Sequence, residues 1–179
     1  MRRVAGAERV QRFLVELGRA ADEPARCYLT GGATAVLLGW RPTTIDVDLT
    51  LMPESDALLR AIARLKDELA INVELAAPSD FIPALPGWEE RSLFVAQEGR
   101  LAVYHYDPYA QALAKIERGH AQDVGDVREF FARGLVQPAR LVELFERIVP
   151  ALYRYPALSP AAFRAAVERT VREAEGGAS

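Results

Sequence analysis

Thr30-Gly31-Gly32-Ala33-Thr34-Ala35 and, beyond Arg41, Thr44-Ile45-Asp46-Val47-Asp48-Leu49 are the two stretches whose reading decides the fold. Cys27 to Thr30 is a short β-prone run that ends at the glycine pair. Ala33 to Gly39 is small and apolar with no breaker, which predicts a short buried helix stopped by Gly39 and Pro42. The order is therefore strand, glycines, helix. Thr44 to Leu51 then alternates strictly, which predicts Ile45, Val47, Leu49 and Leu51 on one face of a strand and Asp46 and Asp48 on the other.

Upstream, residues 7–20 place Val10, Phe13, Leu14 and Leu17 at helical spacing opposite Glu8, Arg9, Arg12, Glu16 and Arg19. Downstream, 53–69 reads as a helix with Leu58, Leu59, Ile62, Leu65 and Leu69 inward, and Ile71 to Leu75 alternates again with Asn72 and Glu74 on its polar face. The Pro-rich stretch 76–90 predicts a loop with one helical turn, and 91–96 and 101–106 flank a short turn in the pattern of a hairpin. Asp107 followed by Pro108 is a helix start, because proline at the first helical position loses no hydrogen bond. Helices follow to about 119, then near 121–133, 138–152 and 159–174. The expected fold is α/β (α+β): a small mixed sheet flanked by helices, with a helical C-terminal half. An α/β core over 1–106 and a helical region over 107–179 are expected to pack as one compact domain.

The 179 residues, 50% hydrophobic and 26% charged, have the balance of a soluble globular domain, and their number suits one domain at roughly 100–200 residues each. No apolar run approaches the ~20 residues of a bilayer span. Arg2 and Arg3 imitate the start of a signal peptide, but Glu8, Arg9 and Arg12 interrupt the apolar stretch that must follow, so a cytoplasmic location is expected. With Cys27 the only cysteine and His105 and His120 the only histidines, a Cys/His zinc site is excluded and any metal must sit on oxygen ligands. A net charge of -3 argues against a surface built to coat nucleic acid.

The chemistry concentrates at the glycines and the acids. A glycine pair between a strand and a helix lets the backbone approach a bound phosphate closely, and equally serves as a tight connection. Two carboxylates at i and i+2 of a strand have Cα atoms about 6.5–7 Å apart and repel unless a cation lies between them. On a solvated face they need none, but on a strand flanked by Ile45, Val47 and Leu49 the simplest compensation is magnesium shared with triphosphate oxygens. Glu74 is the candidate third carboxylate, as metal ligand and general base, with Asp80 the alternative. Lys66 and Lys115 are the only lysines among 22 basic residues, and Lys115 has no acid at i±4, which favours a phosphate over a surface pair. Asp123 and Asp126 share a helix face, either as a salt-bridged surface with Arg118 and Arg128 or as part of a site. His105 and His120 are read as structural.

The run from Thr30 to Ala35, with Arg41 and Thr44 to Leu49, resembles the signature of the nucleotidyltransferase superfamily related to DNA polymerase beta, and more narrowly the AbiEii/AbiGii toxin-like branch and its bacterial relatives. That resemblance implies that Gly31 and Gly32, with Thr34, Arg41 and Thr44, hold the nucleotide, and that Asp46 and Asp48 hold magnesium. A second block, Ala114-Lys115-Ile116-Glu117-Arg118 with Gln122-Asp123-Val124-Gly125-Asp126-Val127, is similar to the late helical motif of the same branch. It implies a place beside the nucleotide for Lys115 and Arg118 and a catalytic one for Lys115, Asp123 and Asp126. The function so implied is transfer of a nucleoside monophosphate from a nucleoside triphosphate to an RNA (notably tRNA) or protein hydroxyl, in the toxin of a pair with a cognate antitoxin. The alternative is an inactive nucleotide-binding or antitoxin-like module.

Overall fold

The computed structural model describes residues 3–177. Along the chain run β1 (Ala5–Gly6), α1 (Ala7–Ala20), β2 (Ala25–Thr30), α2 (Gly32–Leu38), β3 (Thr43–Thr44), β4 (Asp46–Met52), α3 (Asp56–Glu68) and β5 (Asn72–Leu75). A short helix α4 (Trp88–Arg91) precedes the hairpin of β6 (Leu93–Glu98) and β7 (Leu101–His105), and then come α5 (Pro108–Arg118), α6 (Ala121–Ala132), α7 (Pro138–Ile148) and α8 (Pro160–Gly176). The fold is the expected mixed α/β one, with a helical C-terminal half. The chain forms two compact units, one of the residues through Ala77 with Ser92–Tyr106, the other of Pro78–Arg91 with the residues from Asp107 onward. No helix among the described residues is long and apolar enough to cross a membrane.

The first unit is built on a five-stranded sheet in the order β5-β4-β2-β7-β6. β2 runs antiparallel to β4 and parallel to β7, while β5 is parallel to β4 and β6 antiparallel to β7. Cys27, Leu29, Val47, Leu49, Leu51, Val73 and Val103 form the core face, and Val10, Phe13 and Leu17 of α1 and Leu58, Ile62 and Leu65 of α3 close that core. Since successive strand residues point to opposite faces, Arg26, Tyr28 and Thr30 of β2, Asp46, Asp48 and Thr50 of β4, and Asn72 and Glu74 of β5 share the other face. β4 is thus an interior strand carrying two aspartates, as its apolar flanks predict.

Two local readings change. The alternation predicts Ile45 in the apolar row, yet it is 46% exposed. The strand is interrupted there, because Thr43–Thr44 pairs with Ala5–Gly6 in a separate ribbon and the Thr44 hydroxyl donates to the Asp46 carbonyl across a bend at 45. The stretch 76–90 holds two helical turns, a 3₁₀ turn at Pro78–Asp80 and α4, and it buries Pro78, Ile82 and Leu85.

The second unit is helical. Asp107 caps α5 by accepting from the Tyr109 N–H at 3.0 Å, with Pro108 in the first turn as read from sequence. Its other oxygen accepts from Arg91 Nε and Nη2 at 3.0 and 2.8 Å, tying the end of the Pro-rich segment to the helix start. Burial nonetheless pushes the Asp107 carboxyl above its usual range, against the pull of Arg91. Phe145 of α7 and Phe163 of α8 meet edge to face with centroids 4.9 Å apart.

Two glycines separate packing from propensity. A β-carbon on Gly18 of α1 would lie 2.3 Å from the Glu98 carbonyl oxygen, whereas one on Gly125 of α6 would meet nothing within 4 Å. Gly18→Ala is expected to destabilise by about 1–3 kcal/mol and Gly125→Ala to stabilise by about 0.5–1 kcal/mol in urea denaturation.

Candidate active site

The turn between β2 and α2 is where the first predicted site assembles. Gly31 has φ 64° and ψ −133°, a conformation open to glycine and costly for any other residue. A β-carbon there would lie 3.0 Å from Asp48 Oδ2, so the missing side chain lets the Asp48 carboxylate come against the turn. At Gly32 a β-carbon would lie 2.0 Å from Thr44 Oγ1 and 3.3 Å from Arg41 Nη1. Gly31 is therefore required by its backbone conformation and Gly32 by close approach, and the turn brings Arg41, Thr44 and Asp48 to one place.

Across the sheet, Asp48 stands opposite Thr30 on one side and Glu74 on the other, and Asp46 stands opposite Asn72. The Asn72 side-chain amide donates to Asp46 Oδ1 in a short hydrogen bond, which orients that carboxylate. Asp46 and Asp48 are partly exposed and Glu74, on the edge strand, is exposed. Among the described residues no three His, Cys, Asp or Glu side chains stand where they could hold one metal ion together. The donors present are two partly exposed carboxylates on one face, and that fits magnesium, which is commonly held by one or two carboxylates with substrate phosphate and water completing the octahedron. Glu74, the expected third carboxylate, forms no such group with Asp46 and Asp48 among the described residues.

Thr34 is 1% exposed and its hydroxyl is turned inward, 3.0 Å from His105 Nδ1 and donating to the Leu29 carbonyl at 3.4 Å. Its contribution to the turn is thus to anchor the start of α2 to β2 and β7. Burial pushes the His105 imidazole down to about 4, so the ring is neutral at physiological pH. Thr44 spends its hydroxyl on the Asp46 carbonyl.

Lys115, Arg118, Asp123 and Asp126 come together in the helical unit. Lys115 Nζ donates to Asp126 Oδ2 at 2.7 Å and lies 3.5 Å from Asp123 Oδ1. Arg118 grips Asp123 with two bonds, Nε to Oδ2 at 2.7 Å and Nη2 to Oδ1 at 2.5 Å, and the His120 backbone N–H donates to the same carboxylate at 3.2 Å. Burial works against the charge on Asp123, but Arg118 and Lys115 outweigh it and hold that carboxyl below its usual range. Lys115, Asp123 and Asp126 are all buried, so the group is an interior network and not the solvated helix face that the i, i+3 spacing also allowed. Asp123 additionally caps α6 through His120, a role its place three residues after a helix start makes legible.

The family described as nucleotidyltransferase of unknown function (DUF6036) matches residues 8–155. The chain belongs to this family. The match spans both quoted motifs, so the glycine turn and Asp46 and Asp48 lie within the family's extent, as do Lys115, Arg118, Asp123 and Asp126. Comparison with curated proteins and with solved structures returned no match.

Two measurements probe these contacts. Asp126→Ala removes the nearer carboxylate of the buried Lys115 ammonium, leaving it only Asp123 at 3.5 Å, and is expected to cost about 3 kcal/mol in urea denaturation, while Lys115→Met with Asp126→Leu recovers most of that loss. For His105, lowered from 6.5 to about 4, the fold favours the neutral ring. Its contribution is complete above the unfolded value and is lost as pH falls from about 6.5 toward 4, amounting to roughly 3 kcal/mol. His105→Asn, which keeps a hydrogen-bonding group but does not titrate there, should flatten stability across that window.

Proposed function

We propose that this chain is a magnesium-dependent nucleotidyltransferase that moves a nucleoside monophosphate from a nucleoside triphosphate to an acceptor hydroxyl and releases pyrophosphate. The observation that carries this reading is the Asp48 carboxylate held against the Gly31 turn on an interior strand that also carries Asp46. Membership of a nucleotidyltransferase family supports it. Asp46 and Asp48 supply the carboxylate oxygens for the metal, and Asn72 keeps Asp46 in its rotamer. Magnesium, when bound, neutralises the triphosphate and makes its α-phosphorus a better electrophile.

The remaining steps belong to the chain itself. Gly31 and Gly32 leave the backbone of the turn open to phosphate oxygens, with Arg41 and Thr44 beside them. The acceptor oxygen attacks the α-phosphorus, the bond to the bridging oxygen breaks, and the acceptor proton passes to Glu74, which stands next to Asp48 in the sheet. A reaction role for Lys115, Arg118, Asp123 and Asp126 rests on the resemblance of the second motif, whereas the network they form supports a structural one. The toxin-like branch suggests an RNA or protein hydroxyl as acceptor and a cognate antitoxin as partner.

A second reading, a module that binds nucleotide without turnover, is favoured by the exposed position of Glu74, the proposed base, on the edge strand β5. One assay separates the two: α-labelled nucleoside triphosphates, magnesium and a cell extract, with wild type beside Asp46→Asn, Asp48→Asn and Glu74→Gln. Transfer of label is expected from wild type, at background in either aspartate variant, and about 100-fold slower with Glu74→Gln. Transfer equal in wild type and Asp46→Asn, or absent with every base, overturns the enzyme; magnesium-dependent nucleotide binding without transfer establishes the module.

A further inference from the structure

The helical unit contains a groove of about 710 Å3, floored by α5 at Ile116 and walled by α6 at Val127 and Phe131 and by α8 at Ala166 and Ala174. That volume falls in the range of small-molecule sites, about 300–1,000 Å3, which are typically apolar with a few placed charges. Three basic residues line it. Lys115 also lines the groove, but Asp126 and Asp123 already neutralise it inside the protein. Arg118, Arg133, Arg140 and Arg164 of the same unit each hold a carboxylate. Arg128 of α6 and Arg169 of α8, both exposed and both lining the groove, make no ion pair among the described residues. Glu173 is the one carboxylate among the lining residues. An apolar trough thus carries an arginine on each wall, with one carboxylate, Glu173, on the α8 side.

We propose that this groove is a binding site for a small anion with an apolar body, whose phosphate or carboxylate head pairs with Arg128 and Arg169 while the body lies over Val127, Phe131 and Ala166. Guanidinium suits either head because its planar donors match two oxygens at once. Removing the body from water supplies the affinity, and the arginines select charge. The site lies within the helical unit and does not depend on the proposed transfer reaction.

The test uses the full chain and two fluorescent probes of nearly the same body, anilinonaphthalene sulfonate, which is anionic, and phenylnaphthylamine, which is neutral. Wild type is expected to bind the anionic probe more tightly. Arg128→Ala with Arg169→Ala, two exposed positions without ion pairs, should weaken the anionic probe about tenfold and leave the neutral one unchanged. Glu173→Gln should tighten the anionic probe by about twofold, and Ala166→Trp, which fills the groove, should remove both. Naphthyl phosphate and naphthoate serve as competitors, and displacement by either supports the site and ranks the head groups. Equal affinity for the anionic probe in the double arginine variant, full binding to Ala166→Trp, or displacement by inorganic phosphate but by neither naphthyl anion overturns it. Unchanged circular dichroism and Tm show that each variant is folded.

Discussion

Contact without room for a β-carbon is the constraint on which the rest of the first unit depends. At Gly32 the Thr44 side chain occupies the space a β-carbon would need, and at Gly31 the positive φ favours glycine while the Asp48 carboxylate comes within 3.0 Å of a β-carbon's place. The turn between β2 and α2 and the start of β4 are thereby held against each other. The aspartates consequently stand beside an opened backbone and not merely on a polar sheet face. Thr34 reinforces the arrangement from behind, joining α2 to β2 through the Leu29 carbonyl and to β7 through His105. A neutral, buried imidazole is well suited to this, since it exchanges a hydrogen bond with a hydroxyl without placing a charge in the core.

The sheet divides its labour by face. One face is continuous apolar core with α1 and α3, and the other carries the carboxylates with Thr30, Thr50 and Asn72 around them. Aspartate is a poor strand former, so two of them on an interior strand need a compensating interaction. Asn72 provides part of it to Asp46. On the proposed function a divalent cation with a polyphosphate would add to it, and the least favourable local choice in the sequence is then also the most informative about chemistry.

In the helical unit charge is handled in the opposite way. Lys115 and Arg118 balance Asp123 and Asp126, so the buried network has no net charge and every carboxylate has a partner. Such a network adds little stability over an apolar replacement but is costly to break on one side only, and it fixes how α5 and α6 meet. The groove beside it differs in that the two guanidiniums lining it, Arg128 and Arg169, make no ion pair among the described residues.

Local order was legible in the sequence because it follows from near neighbours: the period of α1 and α3, the alternation of β4 and β5, the Asp107-Pro108 start of α5 and the glycine stops after α2 and α5. The glycine pair and the paired aspartates could be singled out for the same reason, as residues that local structure alone does not favour. What needed the tertiary structure was every pairing between distant segments. Strand order and register put Glu74 beside Asp48 and Asn72 beside Asp46, interrupted the strand at Ile45, joined the Pro-rich stretch to the helices, turned Thr34 inward to His105 and gave Lys115 its acids. Those outcomes depend on which long loops close and which surfaces exclude water, and periodicity along the chain carries no record of either.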